Sequence, residues 1–223
     1  MMLKELRREV CEAIRELEKN GLFPLGMGSV SGIDRGGGVV VAPAGIPSAC
    51  LTPDEMLVID FSGQVVEGGG SMKPLPEVAA HLFLYHEFPE IGAVASCFGS
   101  YSTRFAQAER AIPCLGILQA RYFKGEIPVT RTLRKPEVER NYDRSVGEVI
   151  VERFSRLSTR TIPGVLVAHH GAFAWGSNVA ETVLNSLALE QSAELAFGTL
   201  QLFPKAEALS GMLLDKYFEG SGK

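Results

Sequence analysis

A chain of 223 residues with 46% hydrophobic and 22% charged residues has the composition of a globular protein and enough length for one sizeable domain. Its net charge of −4 and the scatter of its Lys and Arg argue against a nucleic-acid surface, and no run approaches the ~20 apolar residues of a membrane span. The charged start, Met1-Met2-Leu3-Lys4-Glu5, lacks an apolar signal region, and Cys11, Cys50, Cys97 and Cys114 form no Cys-x-x-Cys pair, so a cytoplasmic setting with four reduced thiols is expected.

Leu3, Leu6, Val10, Ala13, Ile14 and Leu17 recur at helical spacing and predict an amphipathic helix that Asn20-Gly21 ends. Val39 to Ala42 reads as a short strand after a Gly-rich turn. Thr52-Pro53-Asp54-Glu55 is a capping box with proline at the first helical position, which predicts a helix start. Leu57 to Asp60 and Gln64 to Val66 flank Ser62-Gly63 as a hairpin. A helix is expected over Glu77 to Glu87, a buried strand over Ile91 to Cys97, and a long helix over Pro136 to Leu157. Asn178 would cap a helix running to about Leu202, and Ser210 to Phe218 would form a last short one. The triplets Gly36-Gly37-Gly38 and Gly68-Gly69-Gly70 suit turns rather than linkers, so residues 1–223 read as a single domain. Strands mixed with helices around one core predict an α/β or α+β fold. The terminal Gly220-Ser221-Gly222-Lys223 lacks a following helix and reads as a flexible tail.

The most informative stretch is Ile162 to Gly176. An apolar run ends in His169-His170-Gly171, and a second apolar run leads to Trp175-Gly176. This pattern predicts a strand, a tight turn carrying an imidazole, and a return strand. Together with Val65-Val66-Glu67-Gly68, Lys73-Pro74, Phe88-Pro89-Glu90-Ile91-Gly92, Gly147 to Glu152, Phe173-Ala174-Trp175-Gly176 and Leu213-Leu214-Asp215-Lys216, it resembles the class II aldolase and L-ribulose-5-phosphate 4-epimerase family (the aldolase II/adducin head fold). The likeness spans nearly the whole chain and runs nearer the 4-epimerase branch.

The resemblance implies a three-layer domain with a central, mostly antiparallel sheet flanked by helices. It also implies a homotetramer with sites near subunit boundaries, and a zinc ion held by three histidines that polarises a substrate carbonyl or enediolate. The two histidines of a strand His-x-His fall here on Ser96 and Phe98, and the third on His170; Cys97 would face the other side of the strand, and His169 away from the site. The family's acid/base carboxylate corresponds to Glu77, in Lys73-Pro74-Leu75-Pro76-Glu77. Its phosphate-holding serines have become Leu75 and Pro76, its Gly-Asn is Gly28-Ser29, and its second phosphate loop is Ala44-Gly45, so Ser29 and Gly45 remain as phosphate-binding positions. An aspartate of the epimerase branch is replaced by Arg121, and that branch's late tyrosine has no equivalent here, Tyr217 lying too close to the Leu213-Leu214-Asp215-Lys216 segment to match it.

The residues also admit plainer readings. Glu77 suits the positive end of a helix without any catalysis. His170 would be hydrogen-bonded in a polar remnant of the pocket, His81 would pack or hydrogen-bond, and His86 would lie at the surface. Cys97 is either a buried strand cysteine or a thiol activated by an imidazole. Arg121 would pair with Glu77, bind an anion or lie solvated. The expected function is a diverged 4-epimerase/aldolase-like protein whose zinc-dependent sugar-phosphate chemistry is lost. It would have no bound cofactor and would serve as a binding or assembly subunit for a sugar phosphate or another small anion, alone or mixed with an active paralogue. The alternatives are an active enzyme interconverting L-ribulose 5-phosphate and D-xylulose 5-phosphate, a metal-independent lyase or isomerase built on Glu77, His170 and Arg121, or a small-molecule sensor.

Overall fold

Short apolar segments separated by glycine-rich turns assemble one sheet. A computed structural model describes residues 2–68 and 70–220; Gly69 of the second glycine triplet and most of the expected tail lie outside it. The strands are β1 (Ser29–Asp34), β2 (Gly38–Val41), β3 (Leu57–Ile59), β4 (Val65–Glu67), β5 (Ala93–Cys97), β6 (Gly164–Val167) and β7 (Gly171–Gly176). They lie in the order β4-β3-β2-β1-β5-β7-β6, and every neighbouring pair is antiparallel. The helices are α1 (Lys4–Lys19), α2 (Val78–Glu87), α3 (Ser100–Gln107), α4 (Ile117–Tyr122), α5 (Lys135–Phe154), α6 (Val179–Leu202) and α7 (Gly211–Glu219).

Both sheet faces are buried, because alternate strand residues feed two cores. Val39, Val41, Leu57, Ile59, Val94 and Phe173 pack with Ala80 and Leu84 of α2 and Val146 and Ile150 of α5. Val30, Val40, Val58, Ala95 and Cys97 pack on the other side with Val10, Ile14 and Leu17 of α1 and Val179 and Val183 of α6. The expected mixed α/β architecture, with a sheet flanked by helices, is present.

Several local expectations are corrected. Thr52-Glu55 does form its capping box, with the Thr52 amide 2.7 Å and its hydroxyl 2.9 Å from Glu55 Oε2, but only a turn follows. The chain is needed immediately afterwards as β3, so the helix never propagates beyond its costly first turn. The long helix over 136–157 is interrupted: α5 breaks at Asn141, which has extended backbone angles and whose Oδ1 accepts the Arg144 amide at 3.0 Å. Asn141 therefore restarts the helix as a cap inside it. Strand β1 and helices α3 and α4 carry no strong periodicity and escaped the sequence reading.

Helix α3 is capped from a distance. Glu190 of α6 accepts the Tyr101 and Ser102 amides at 2.7 and 3.0 Å and the Ser102 hydroxyl at 2.5 Å. A Cβ on Gly99 would lie 2.2 Å from this carboxylate, so only glycine admits the contact. A carboxylate at the positive end of a helix stabilises orphan N–H groups and ties β5's exit to α6. Replacing Glu190 with Ala is expected to cost about 1–3 kcal/mol in urea unfolding, with no change in the slope.

Candidate functional site

The site is built across three central strands. The register sets Ser29 of β1 opposite Ser96 of β5, and Ser96 opposite Phe173 of β7. These side chains form one row on the face covered by α2. Cys97, one residue on, falls on the opposite face as expected. Burial pushes its thiol up to about 12, so it is not an activated nucleophile.

Beneath the row lies His81, fully buried on α2. Its Nδ1 is 2.8 Å from Ser31 Oγ, its Nε2 is 3.3 Å from Ser29 Oγ, and its ring meets the edge of Phe173 at 5.9 Å. Burial holds its pKa down to about 3, so the ring is neutral. The Tyr85 hydroxyl lies 2.8 Å from Ser31 Oγ and 2.9 Å from the Ser31 carbonyl, and its one proton is shared between them. One proton order satisfies the chain: Ser31 donates to His81 Nδ1, His81 Nε2–H donates to Ser29, and Ser29 donates to Glu77, whose charged form that bond favours. His81 is thus a hydrogen-bonding residue, as one sequence reading had it. His86 is exposed.

Glu77 sits at the N-cap of α2, one position ahead of the expected first turn, and its side chain does not cap that helix. Desolvation, with Asp143 adding repulsion, raises its pKa against the Ser29 hydrogen bond. Its Oε1 is buried and has no partner. Beside it the Ala44 amide donates to the Lys73 carbonyl at 2.8 Å, which brings the exposed Ala44-Gly45 turn against the Lys73-Glu77 segment. Gly45 takes a left-handed conformation there (φ +85°).

His170 reaches the row from the other end. It lies in the three-residue loop 168–170 between β6 and β7, where His169 takes φ +61°. The pair His169-His170 therefore sits in the turn, not at the strand's end. His169 points outward and lies 3.3 Å from Glu109. The turn packs tightly: a Cβ on Gly171 would approach the Cys97 carbonyl to 2.6 Å. The His170 ring centre is 5.1 Å from Phe98 and 5.7 Å from Phe173. Its Nδ1 is 2.8 Å from the Tyr142 hydroxyl, while its Nε2 is buried without a partner. Burial holds its pKa down to about 4.

Glu77 Oε1, Ser96 Oγ and His170 Nε2 are buried without a partner, as is Thr103 Oγ1; Ser96 links the first three, standing opposite Ser29, which bonds Glu77, and opposite Phe173, whose ring packs near His170. Arg121 does not join them; it is exposed on α4, which packs against α6 and α7. Sequence reasoning missed Tyr142, Ser31 and Tyr85. Only Asn141, a capping residue within an apparent helix, signalled that Tyr142 would be turned inward.

This architecture can be set beside known proteins. A profile of the Class II Aldolase and Adducin N-terminal domain family matches residues 8–197. The chain belongs to that family. It is 36% identical over 217 residues to L-ribulose-5-phosphate 4-epimerase UlaF of Salmonella paratyphi C (strain RKS4594), covering 97% of this chain and 94% of the relative, and equally so to UlaF of Salmonella choleraesuis (strain SC-B67). Among solved structures, an L-fuculose 1-phosphate aldolase superposes with a TM-score of 0.80 at 20% identity, covering 98% of this chain and 97% of the other. YgbL from Klebsiella pneumoniae, described as a putative aldolase/epimerase/decarboxylase, gives 0.77 at 22% identity, with 97% and 99% covered. These structures share the fold, and the class II aldolase resemblance read from the sequence is borne out.

The two buried neutral imidazoles make stability depend on pH. Each has a folded pKa below its unfolded value of about 6.5, so its contribution is present above that value and is lost as pH falls toward 4 for His170 and 3 for His81. Lowering pH from 7.5 to 5.5 is expected to cost about 2–3 kcal/mol in urea unfolding from this pair, and His81→Asn to flatten the slope.

Proposed function

We propose that this chain is a diverged member of the 4-epimerase branch that has lost zinc-dependent sugar-phosphate chemistry and keeps the pocket for binding. Its ligand would be a sugar phosphate or another small anion, with Ser29 and Gly45 at the phosphate positions the family resemblance implies and Glu77, Ser96 and His170 beside them. The single observation supporting this is the donor set of the three orphaned atoms. A catalytic zinc ion takes three protein ligands plus a water. Here the unpartnered atoms are one imidazole nitrogen, one carboxylate oxygen and one neutral hydroxyl, and Phe98 offers none. A serine hydroxyl is a poor partner for zinc, and a benzyl group beside the ion would add desolvation without compensation. Among the described residues no three His, Cys, Asp or Glu side chains converge. The residues present do not fit zinc.

Assembly is part of the same reading. Leu184, Leu195, Leu202 and Phe203 of α6 and its C-terminal edge are exposed, more apolar surface than one helix needs in water. A homo-oligomer, or mixed assembly with an active paralogue, would cover it; the family resemblance suggests a tetramer. No described helix is long and apolar enough to cross a membrane, in keeping with a cytoplasmic place for the assembly.

A second reading is an active pentulose-phosphate 4-epimerase with a rearranged site. The 36% identity to UlaF across 97% of the chain favours it, as does the retained carboxylate of Glu77 with its raised pKa, suited to proton transfer.

Elemental analysis of protein purified without a histidine tag, with a coupled L-ribulose-5-phosphate epimerase assay, separates the two. The first reading expects zinc far below one per chain and no turnover above a Glu77→Ala control. Stoichiometric zinc, or turnover that Glu77→Ala abolishes, would refute it. Restoring two imidazoles in the double variant S96H/F98H is expected to raise zinc affinity more than about 100-fold.

A further inference from the structure

His170 is held by a residue that nothing so far assigns to the site. The break at Asn141 makes Tyr142 the first residue of the second half of α5 and directs its hydroxyl to His170 Nδ1 at 2.8 Å. The break is itself secured. Ser145 Oγ donates to the Glu137 carbonyl at 3.0 Å, serving a group the interruption frees, and the Arg144 amide is taken up by Asn141. The ring centres of Tyr142 and His170 are 5.9 Å apart.

In a neutral imidazole, the bond made by one nitrogen decides whether the other presents a proton or a lone pair. We propose that Tyr142 donates its hydroxyl proton to His170 Nδ1 and so fixes the Nε2–H tautomer, making His170 a hydrogen-bond donor toward the ligand instead of a metal-binding lone pair. This inference rests on the metal-free reading of the site given above.

Two observations point the same way. Tyr142 is 38% exposed, so water can serve its oxygen, whereas its O–H has Nδ1 as the acceptor at hand. The buried Nε2 has no protein partner, so its N–H is free for a carbonyl or hydroxyl oxygen of the ligand. A neutral imidazole N–H can polarise a carbonyl in a water-poor site, a task a metal ion would otherwise perform. Tyr142 is in this sense a positioning residue, acting through His170.

The chain has four histidines, so a long-range 1H–15N correlation spectrum of selectively 15N-histidine-labelled protein can resolve His170, assigned with His170→Asn. The expected result for unmodified protein at pH 7.5 is a protonated Nε2 and a bare Nδ1. Tyr142→Phe, which keeps the ring and removes only the hydroxyl, is expected to convert this single form into a tautomer mixture without changing the His81 signals. An Nδ1–H tautomer in unmodified protein, or identical His170 signals in the variant, would overturn the proposal. The metal analysis distinguishes the two failures: stoichiometric zinc removes both readings, while a metal-free protein with an Nδ1–H His170 removes only this one.

Discussion

A carboxylate deprived of water governs this pocket. Glu77 is placed at the mouth of α2 by the Lys73-Pro74-Leu75-Pro76 approach, and burial works against its charge. What makes the arrangement tenable is the polar chain beneath it, running from Ser31 through His81 to Ser29 and into the carboxylate. Each member of that chain has a fixed supply of protons, so satisfying one bond dictates the next. The chain also explains how a histidine and two serines are satisfied inside a predominantly apolar core.

The sheet supplies the rigidity this requires. Ser29, Ser96 and Phe173 are neighbours because β1, β5 and β7 pair in a register pinned by buried residues on both faces, and a slip by one residue would turn all of them away. The β6–β7 turn adds His170 at one end, and the close approach of Gly171 to the Cys97 carbonyl locks that turn onto β5. The outcome is a row of polar side chains with the rings of Phe98 and Phe173 packed beside His170.

Within a family recognised by its fold, this separates scaffold from chemistry. The identity to UlaF extends along almost the entire chain, yet strand positions where the resemblance implies histidines carry a hydroxymethyl and a benzyl group. The backbone that would carry such ligands is intact, because strand pairing depends on the alternation of buried residues and not on what the polar ones can bind.

The sequence alone was enough for the fold class, the capped helix at Asn178 and the β6–β7 hairpin, since these rest on periodicity and on motif order, which are local and linear. It also placed Cys97 on the far side of its strand by alternation alone. Tertiary structure decided the rest. It withheld a helix after Thr52 because β3 needed the chain, opened α5 at Asn141, and left Arg121 in solvent, away from Glu77. It alone revealed that His81 links two serines and that Tyr142 meets His170, contacts spanning 52, 50 and 28 residues. Such pairings depend on how strands and helices are brought together in space, a property that no spacing along the chain encodes.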